Sequence, residues 1–295
     1  MTIDPLTRAS VLPIWTGPVK PERMEGGLSS ISYLVEDGGG KYVVRFGRDQ
    51  PFHHVSRSRE LMVARAAHKA GFGPEIVHAG PGVVVGVYID GVTYTGAHVR
   101  ANIRRIAPMM RQFHERMPRL VSGPGYLFSV FHVIRDYARL LVQDGYRLSA
   151  RIPAWLDLAG EMERAQTPQP IIFGHNDFIP GNIIDDGDRL WFIDFEQAGF
   201  STALSDLADL AGNADFSDEQ STELLAAYFG KTPDPELRKS YDAMLCAATM
   251  REAMWGMISE EHIADPPTDY PAYVQTNLER LEVVLDRYRT RYGQG

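Results

Sequence analysis

The sequence predicts an α+β protein of two unequal lobes: a small antiparallel-sheet lobe with one main helix, then a larger, mostly helical lobe. Three observations carry this. Residues 31–46 and 76–89 hold apolar or alternating runs separated by glycine-rich turns, the pattern of paired antiparallel strands. From residue 103 onward the apolar spacing lengthens to that of helices. Two short apolar runs, Ile171-Ile172-Phe173 and Leu190-Trp191-Phe192-Ile193, then break the helical half and lead straight into polar groups.

Taken in order, residues 31–36 and 41–46 read as strands around the turn Asp37-Gly38-Gly39-Gly40. A helix over 56–70 follows, with Leu61, Ala64, Arg65 and His68 at helical spacing and Gly71 as its stop. A second strand pair, 76–78 and 83–89, turns at Ala79-Gly80-Pro81-Gly82. A short tether at 88–91 leads to helices over 103–116, 131–148 and 153–165. After the β-rich stretch 173–199 come helices over 218–229, 235–262 and 270–292. There is no internal repeat or low-complexity linker. The expected division is 1–89 and 90–295, with a ligand cleft between the two.

Composition narrows the partners. The chain has 295 residues and a formal net charge of −8, which argues against a general nucleic-acid partner and suits a cationic ligand. The longest apolar run, 83–89, is too short to span a bilayer and is interrupted by Gly86. The N-terminus has no apolar signal core, and Cys246 is the sole cysteine, so no internal disulfide forms. The expectation is a cytoplasmic protein without a membrane partner; the oligomeric state is open.

The polar groups at the ends of the two short strands are the most informative feature. His175-Asn176-Asp177 is followed after four residues by Asn182, and Asp194 and Asp206 come later. Phosphoryl transfer needs such parts: one carboxylate to take or orient a hydroxyl proton, and an amide with a second carboxylate to hold Mg2+ on nucleotide phosphates. Pro180-Gly181 turns the chain so that Asp177 and Asn182 face one site. Asn182 and Asp194 offer the hard oxygens that Mg2+ prefers. Singly, each residue is also an ordinary cap or turn former; jointly, beside two buried strands, they read as a site. His175 reads as a residue that orients the loop.

This stretch resembles the choline/ethanolamine kinase family, a branch of the aminoglycoside-phosphotransferase-like and protein-kinase-like folds. The matching residues are His175-Asn176-Asp177, Gly181-Asn182-Ile183, Ile193-Asp194-Phe195-Glu196 and Ser205-Asp206-Leu207. The resemblance implies Asp177 as catalytic base, Asn182 and Asp194 as Mg2+ ligands, and Asp206 as a brace for the catalytic loop. It implies ATP as phosphoryl donor.

A nucleotide-binding first lobe needs a phosphate-covering loop, a strand cation and a helix carboxylate. Gly26-Gly27-Leu28-Ser29-Ser30 is the expected loop, although Ser29-Ser30 and Ser32 depart from the asparagine-containing family pattern. Arg45 is the expected cation, as in the choline kinase branch, and Glu60 its partner. Tyr88 and Ile89 lie where a hinge would offer backbone groups to adenine.

On the acceptor side, Arg251-Glu252 followed by Trp255-Gly256 resembles a family helix that presents an aromatic wall to a quaternary ammonium. Tyr270 and Tyr273 are further ring candidates, and Glu252 and Glu196 are candidate carboxylates for an ammonium group. Ile258 stands where the family often has a second tryptophan, which thins the cage. His53-His54 reads as a solvated loop, Phe113-His114 as structural, and Arg57, Arg59 and Arg65 as a solvated helix face. The expected activity is a kinase of choline or ethanolamine. The competing expectations are a kinase of an aminoglycoside, thiamine or a sugar, and a catalytically inactive binding module of the same shape.

Overall fold

The computed structural model describes residues 4–24, 30–263 and 268–293. An N-terminal helix, α1 (Pro5–Ser10), is capped by Asp4, whose carboxylate accepts the Thr7 N–H at 3.0 Å. Five strands follow: β1 (Glu22–Arg23), β2 (Ile31–Asp37), β3 (Gly40–Phe46), β4 (Ile76–Gly80) and β5 (Val83–Val87). They form one antiparallel sheet in the order β1-β2-β3-β5-β4. Gly38 and Gly39, at φ 57° and 82°, close the β2–β3 hairpin in the left-handed conformation that its two-residue turn demands.

Strand alternation decides where Arg45 points. Val44 and Phe46 turn to one face, packing with Tyr33, Val35, Val83 and Val85 beneath Ala9 and Leu12 of the N-terminal segment. Arg45, between them, faces the other side, toward helix α2 (Arg57–Ala70). That helix does not belong to the sheet's core. Val63, Ala66, Ala67 and Ala70 join the large cluster formed by the remaining helices.

The second half contains β6 (Val92–Thr93), α3 (Gly96–Ala101), α4 (Ile103–Arg116), α5 (Val130–Gln143) and α6 (Ile152–Arg164). Next come β7 (Ile171–Gly174), β8 (Ile183–Asp185), β9 (Leu190–Phe192) and β10 (Gly199–Thr202). β7 pairs with β10, and β6, β8 and β9 make a small sheet. The chain ends in α7 (Ala203–Asn213), α8 (Asp218–Phe229), α9 (Pro235–His262) and α10 (Tyr270–Tyr292). α5 stops short of its expected end at 148 because Gly145, at φ 69°, breaks the turn.

The helix α7 was not expected from the sequence. Every residue from Ala203 to Ala211 is buried, so no solvent face marks its period. α9 is the axis of this half: residues 240–259 are all buried, with α5, α6, α7 and α10 packed around them. At Gly256 a Cβ would stand 2.9 Å from Tyr273 Cδ1 and 3.0 Å from Val274 Cγ2, so this glycine sets how closely α10 approaches.

Candidate active site

The loop that carries Asp177 is held at both ends by α7. Asp206, fully buried in its first turn, accepts the backbone N–H of His175 at 2.8 Å and of Asn176 at 2.7 Å, and also contacts His114 Nε2 at 2.8 Å. One helical turn on, Asp209 accepts the N–H of Phe178 at 2.7 Å and a proton from Arg251 at 2.9 Å. Spacing of i and i+3 puts both carboxylates on one helix face. Asp177 is thus suspended between two anchored peptide groups.

Local chain geometry follows from this. Asn176 adopts φ 60°, and Gly174 has no room for a side chain: a Cβ would collide with Ser201 Oγ and Asn176 Oδ1. His175 carries its proton on Nε2, which donates to the Ile193 carbonyl at 2.9 Å, and burial keeps the ring neutral. The ring packs on Phe178 and Phe195, with centroids 4.6 and 5.1 Å away. His114 is likewise internal, with Nδ1 2.7 Å from the Tyr228 hydroxyl.

Asn182, at the end of a short 3-10 turn, donates its amide to the Asp177 carbonyl at 2.9 Å and to Asp177 Oδ2 at 3.0 Å. This orientation leaves the amide oxygen as the atom to offer a cation. Burial, with Asp209, Glu252 and Asp194 nearby, pushes the Asp177 carboxyl well above the usual carboxylate range, against the pull of Arg251. Asp194 sits after β9 at φ 63°, a conformation costly for a non-glycine residue. Its carboxylate lies 2.7 Å from Arg45.

Arg45 belongs to a closed ring of alternating charge. It pairs with Glu60 at 2.8 Å, Glu60 with Arg57 at 2.7 Å, Arg57 with Glu196 at 2.8 Å, and Glu196 returns to Arg45 at 3.3 Å. Two guanidiniums and two carboxylates cancel, which makes burying them tolerable. Ser30 accepts from Arg45 Nε at 2.8 Å. Two expectations are corrected here. Glu196, expected to offer its carboxylate to an ammonium group, is instead bonded to the guanidiniums of Arg45 and Arg57. Arg57 and Arg59 are not a solvated face: Arg59 stacks 3.7 Å from the Tyr126 ring centre and donates to the Glu196 carbonyl at 3.0 Å, and only Arg65 is exposed. The expected loop residues Gly26, Gly27, Leu28 and Ser29 lie outside the described residues. Tyr88 gives its N–H to the Lys41 carbonyl at 2.9 Å, so it can meet an adenine edge only through its carbonyl, with Ile89 next in line.

Also near Asp177, Arg251 bridges Asp209 and Glu252, the latter at 2.7 Å. The Tyr273 hydroxyl donates to the second oxygen of Glu252. Trp255, one turn along α9, is 9 % exposed, with the edges of Tyr270 and Tyr273 against it at 6.0 and 5.8 Å. Tyr270 is 2 % exposed, and Tyr273 is the more accessible ring. His53 is no solvated loop residue either. Its ring is buried and stacks on Trp255 at 4.9 Å and 19°.

A model of the APH family, the phosphotransferase enzyme family, matches residues 21–241, about three quarters of the chain. The chain belongs to this phosphotransferase family. Protein LicA of Haemophilus influenzae is 26% identical over 211 residues, 70% of this chain and 62% of that protein. Ethanolamine kinase 2 of Mus musculus is 26% identical over 210 residues, 65% of this chain and 52% of the relative. The chain thus spans less than two thirds of either relative. A crystal structure of a choline/ethanolamine kinase family protein from Mesorhizobium loti superposes with a TM-score of 0.77 at 26% identity, covering 98% of both chains. The fold is protein-kinase-like, as expected.

The family match contains Asp177, Asn182, Asp194, Asp206 and Asp209 but ends before Arg251. Sequence reasoning gave Asp209 no part, read Arg57 and His53 as solvated, and met Arg251 only as a motif residue; the fold brings all four to the site. Asp209 had a legible signal, three residues after Asp206 in Ser205-Asp206-Leu207-Ala208-Asp209. The partners that bring Arg57 and His53 to the site, Glu196 and Ser259, lie far away in the chain.

Proposed function

We propose that this phosphotransferase moves the γ-phosphate of ATP to the hydroxyl of choline or ethanolamine. The observation that carries the reading is Asp177: a carboxyl made basic by burial, with Asp194, paired to Arg45, and Glu252, bonded by Tyr273, both near it. The names of the mouse ethanolamine kinase and of the choline/ethanolamine kinase family structure support the choice of acceptor.

In this reading residues 1–89 form the nucleotide lobe and 90–295 the catalytic and acceptor lobe. Asp177 orients the acceptor hydroxyl and takes its proton, favoured by its raised basicity, as the new O–P bond forms and the bond from the γ-phosphorus to the β-phosphate oxygen breaks to leave ADP. Asp206 and Asp209 fix the loop, and His175 fills its underside. Arg45, held by Glu60 and Glu196, presents its guanidinium to the α- and β-phosphates, where a planar fork suits phosphate oxygens. Ser30, Tyr88 and Ile89 line the nucleotide side.

The donor set fits Mg2+: the Asn182 amide oxygen and the Asp194 carboxylate are hard ligands that phosphate oxygens and water would complete. When bound there, the ion neutralises charge on the transferring phosphoryl group. Arg45 contacts Asp194 through Oδ1, which leaves Oδ2 as the atom to offer a cation, and Glu60 and Glu196 also hold the guanidinium. Glu252 supplies negative charge, and the rings of Trp255 and Tyr273 supply faces or edges for the acceptor's cationic end. Among the described residues no helix is long and apolar enough to cross a membrane, and we place the reaction in the cytoplasm, where ATP is supplied.

The test is ADP release by the purified protein with Mg2+ and ATP, with choline, ethanolamine or neither, beside Asp177→Ala. Acceptor-dependent release that drops by about 10²–10⁴-fold in the variant is the expected result. Release that never depends on either acceptor sinks the choice of acceptor, and thiamine and aminoglycosides are then tried. Release unchanged by Asp177→Ala removes Asp177 from the chemistry.

A further inference from the structure

The segment between β3 and α2 links the strand that carries Arg45 to the helix that carries Glu60. Its tip, residues 50–55, is a tight loop closed by two backbone bonds, Gln50 N–H to Val55 O at 3.1 Å and Val55 N–H to Gln50 O at 3.0 Å. At the tip a 3-10 turn, Pro51–His53, followed by His54 at φ 59°, drives the His53 ring away from the sheet and into the helical half. There both ring nitrogens meet hydroxyls: Nδ1 is 3.1 Å from Tyr137 on α5, and Nε2 is 2.8 Å from Ser259 on α9. Gln197 holds the backbone by donating to the His53 carbonyl at 3.2 Å.

Pinned at both nitrogens, the imidazole cannot rotate, and its face lies against the Trp255 indole. Phe52 closes the other flank, edge-on at 4.8 Å. A flat, fixed, uncharged ring behind an indole does two things. It fixes the plane that the indole presents, and it adds no positive charge behind a face meant for a cation. A protonated ring there would oppose cation binding, since a cation–π contact depends on the negative potential of the ring face. Burial, with His262, His54 and Arg251 around it, keeps His53 neutral, its pKa lowered to about 3.

We propose that His53 is a specificity-positioning residue: it fixes the Trp255 indole from behind and so sets the preference for a quaternary over a primary ammonium acceptor. The proposal rests on the acceptor reading given above. A quaternary ammonium donates no hydrogen bond and depends on ring faces, whereas a primary amine can bond to Glu252. Loosening the indole therefore penalises choline more than ethanolamine.

The experiment compares His53→Leu, His53→Phe and Trp255→Phe by kcat and KM for choline, ethanolamine and ATP, together with the thermal midpoint. Leucine and phenylalanine both leave the Tyr137 and Ser259 hydroxyls without their partner, so both lower the midpoint. Only phenylalanine keeps a flat ring on the indole. The expected result is a rise of about tenfold in KM for choline in His53→Leu, within the range of a desolvated cation–π contact. KM for ethanolamine and ATP stays within about twofold, and His53→Phe largely restores choline binding. If His53→Leu does not fold, His53→Asn, which removes the ring but keeps polar atoms, is expected to give the same choline defect.

Equal changes for both acceptors, or a phenylalanine variant as impaired as the leucine one, overturn the proposal while Trp255→Phe still raises KM for choline. A Trp255→Phe enzyme with unchanged choline KM overturns the aromatic wall itself, and this proposal with it. An enzyme active on neither acceptor does the same.

Discussion

Asp177 shows how one residue can weaken the fold for the sake of a reaction. Its folded-state pKa lies above the unfolded value, so the folded protein favours the protonated form. Ionising the side chain in the folded protein costs more than in the unfolded chain, so its contribution is neutral below the unfolded pKa and turns unfavourable as pH rises toward and through the folded one. Asp177→Asn keeps the shape and removes the buried charge. It is expected to raise Tm by about 2–4 °C at neutral pH while reducing kcat as alanine does; a lower Tm in calorimetry would show the ionised form to be well stabilised. The same shift acts on rate, since only the ionised carboxylate accepts a proton. The acid limb of kcat/KM is therefore expected above the ordinary carboxylate range and is expected to disappear in Asp177→Asn.

At the scale of elements, α7 is the scaffold of the site. Asp206→Asn replaces a carboxylate acceptor shared by two backbone amides, a change expected to cost about 1.5–3 kcal/mol. With the loop less well held, kcat is expected to fall more than either KM; unchanged kcat in steady-state assays would reduce Asp206 to a fold residue. α9 and α10 test a different interaction. Gly256→Ala inserts a methyl group where Tyr273 and Val274 already touch, an overpacking cost of about 1–3 kcal/mol. Because Tyr273 also bonds Glu252, the variant is expected to raise KM for the acceptor and leave KM for ATP unchanged. Legibility differed between these helices. The bounds 235–262 and 270–292 were readable from proline starts and apolar spacing, whereas α7 is short and buried from Ala203 to Ala211, so its Leu204, Leu207 and Leu210 are not set off by a solvent face.

For the whole molecule, the halves are joined by charge and by packing. The ring Arg45-Glu60-Arg57-Glu196 ties β3 and α2 to the segment after β9, and α2 shares its core with the helices beyond it. Arg57→Met leaves Glu60 and Glu196 with one guanidinium between them. We expect the rise in KM for ATP to be about tenfold, with KM for the acceptor little changed; an unaltered ATP dependence would leave Arg57 a purely structural group.

The sequence by itself determined the strand pairs, most of the long helices and the residues Asp177, Asn182, Asp194, Arg45 and Glu60. Each is marked locally, by periodicity, by a turn residue or by spacing within a short motif. Only the tertiary structure decided that Glu196 joins the arginines, that Tyr270 is buried with its ring against Trp255, and that His53 reaches the helical half. Their roles depend on partners up to about two hundred residues away, Ser259 in the case of His53. A buried polar side chain is defined by what satisfies it, and distance along the chain hides that partner until the chain has folded.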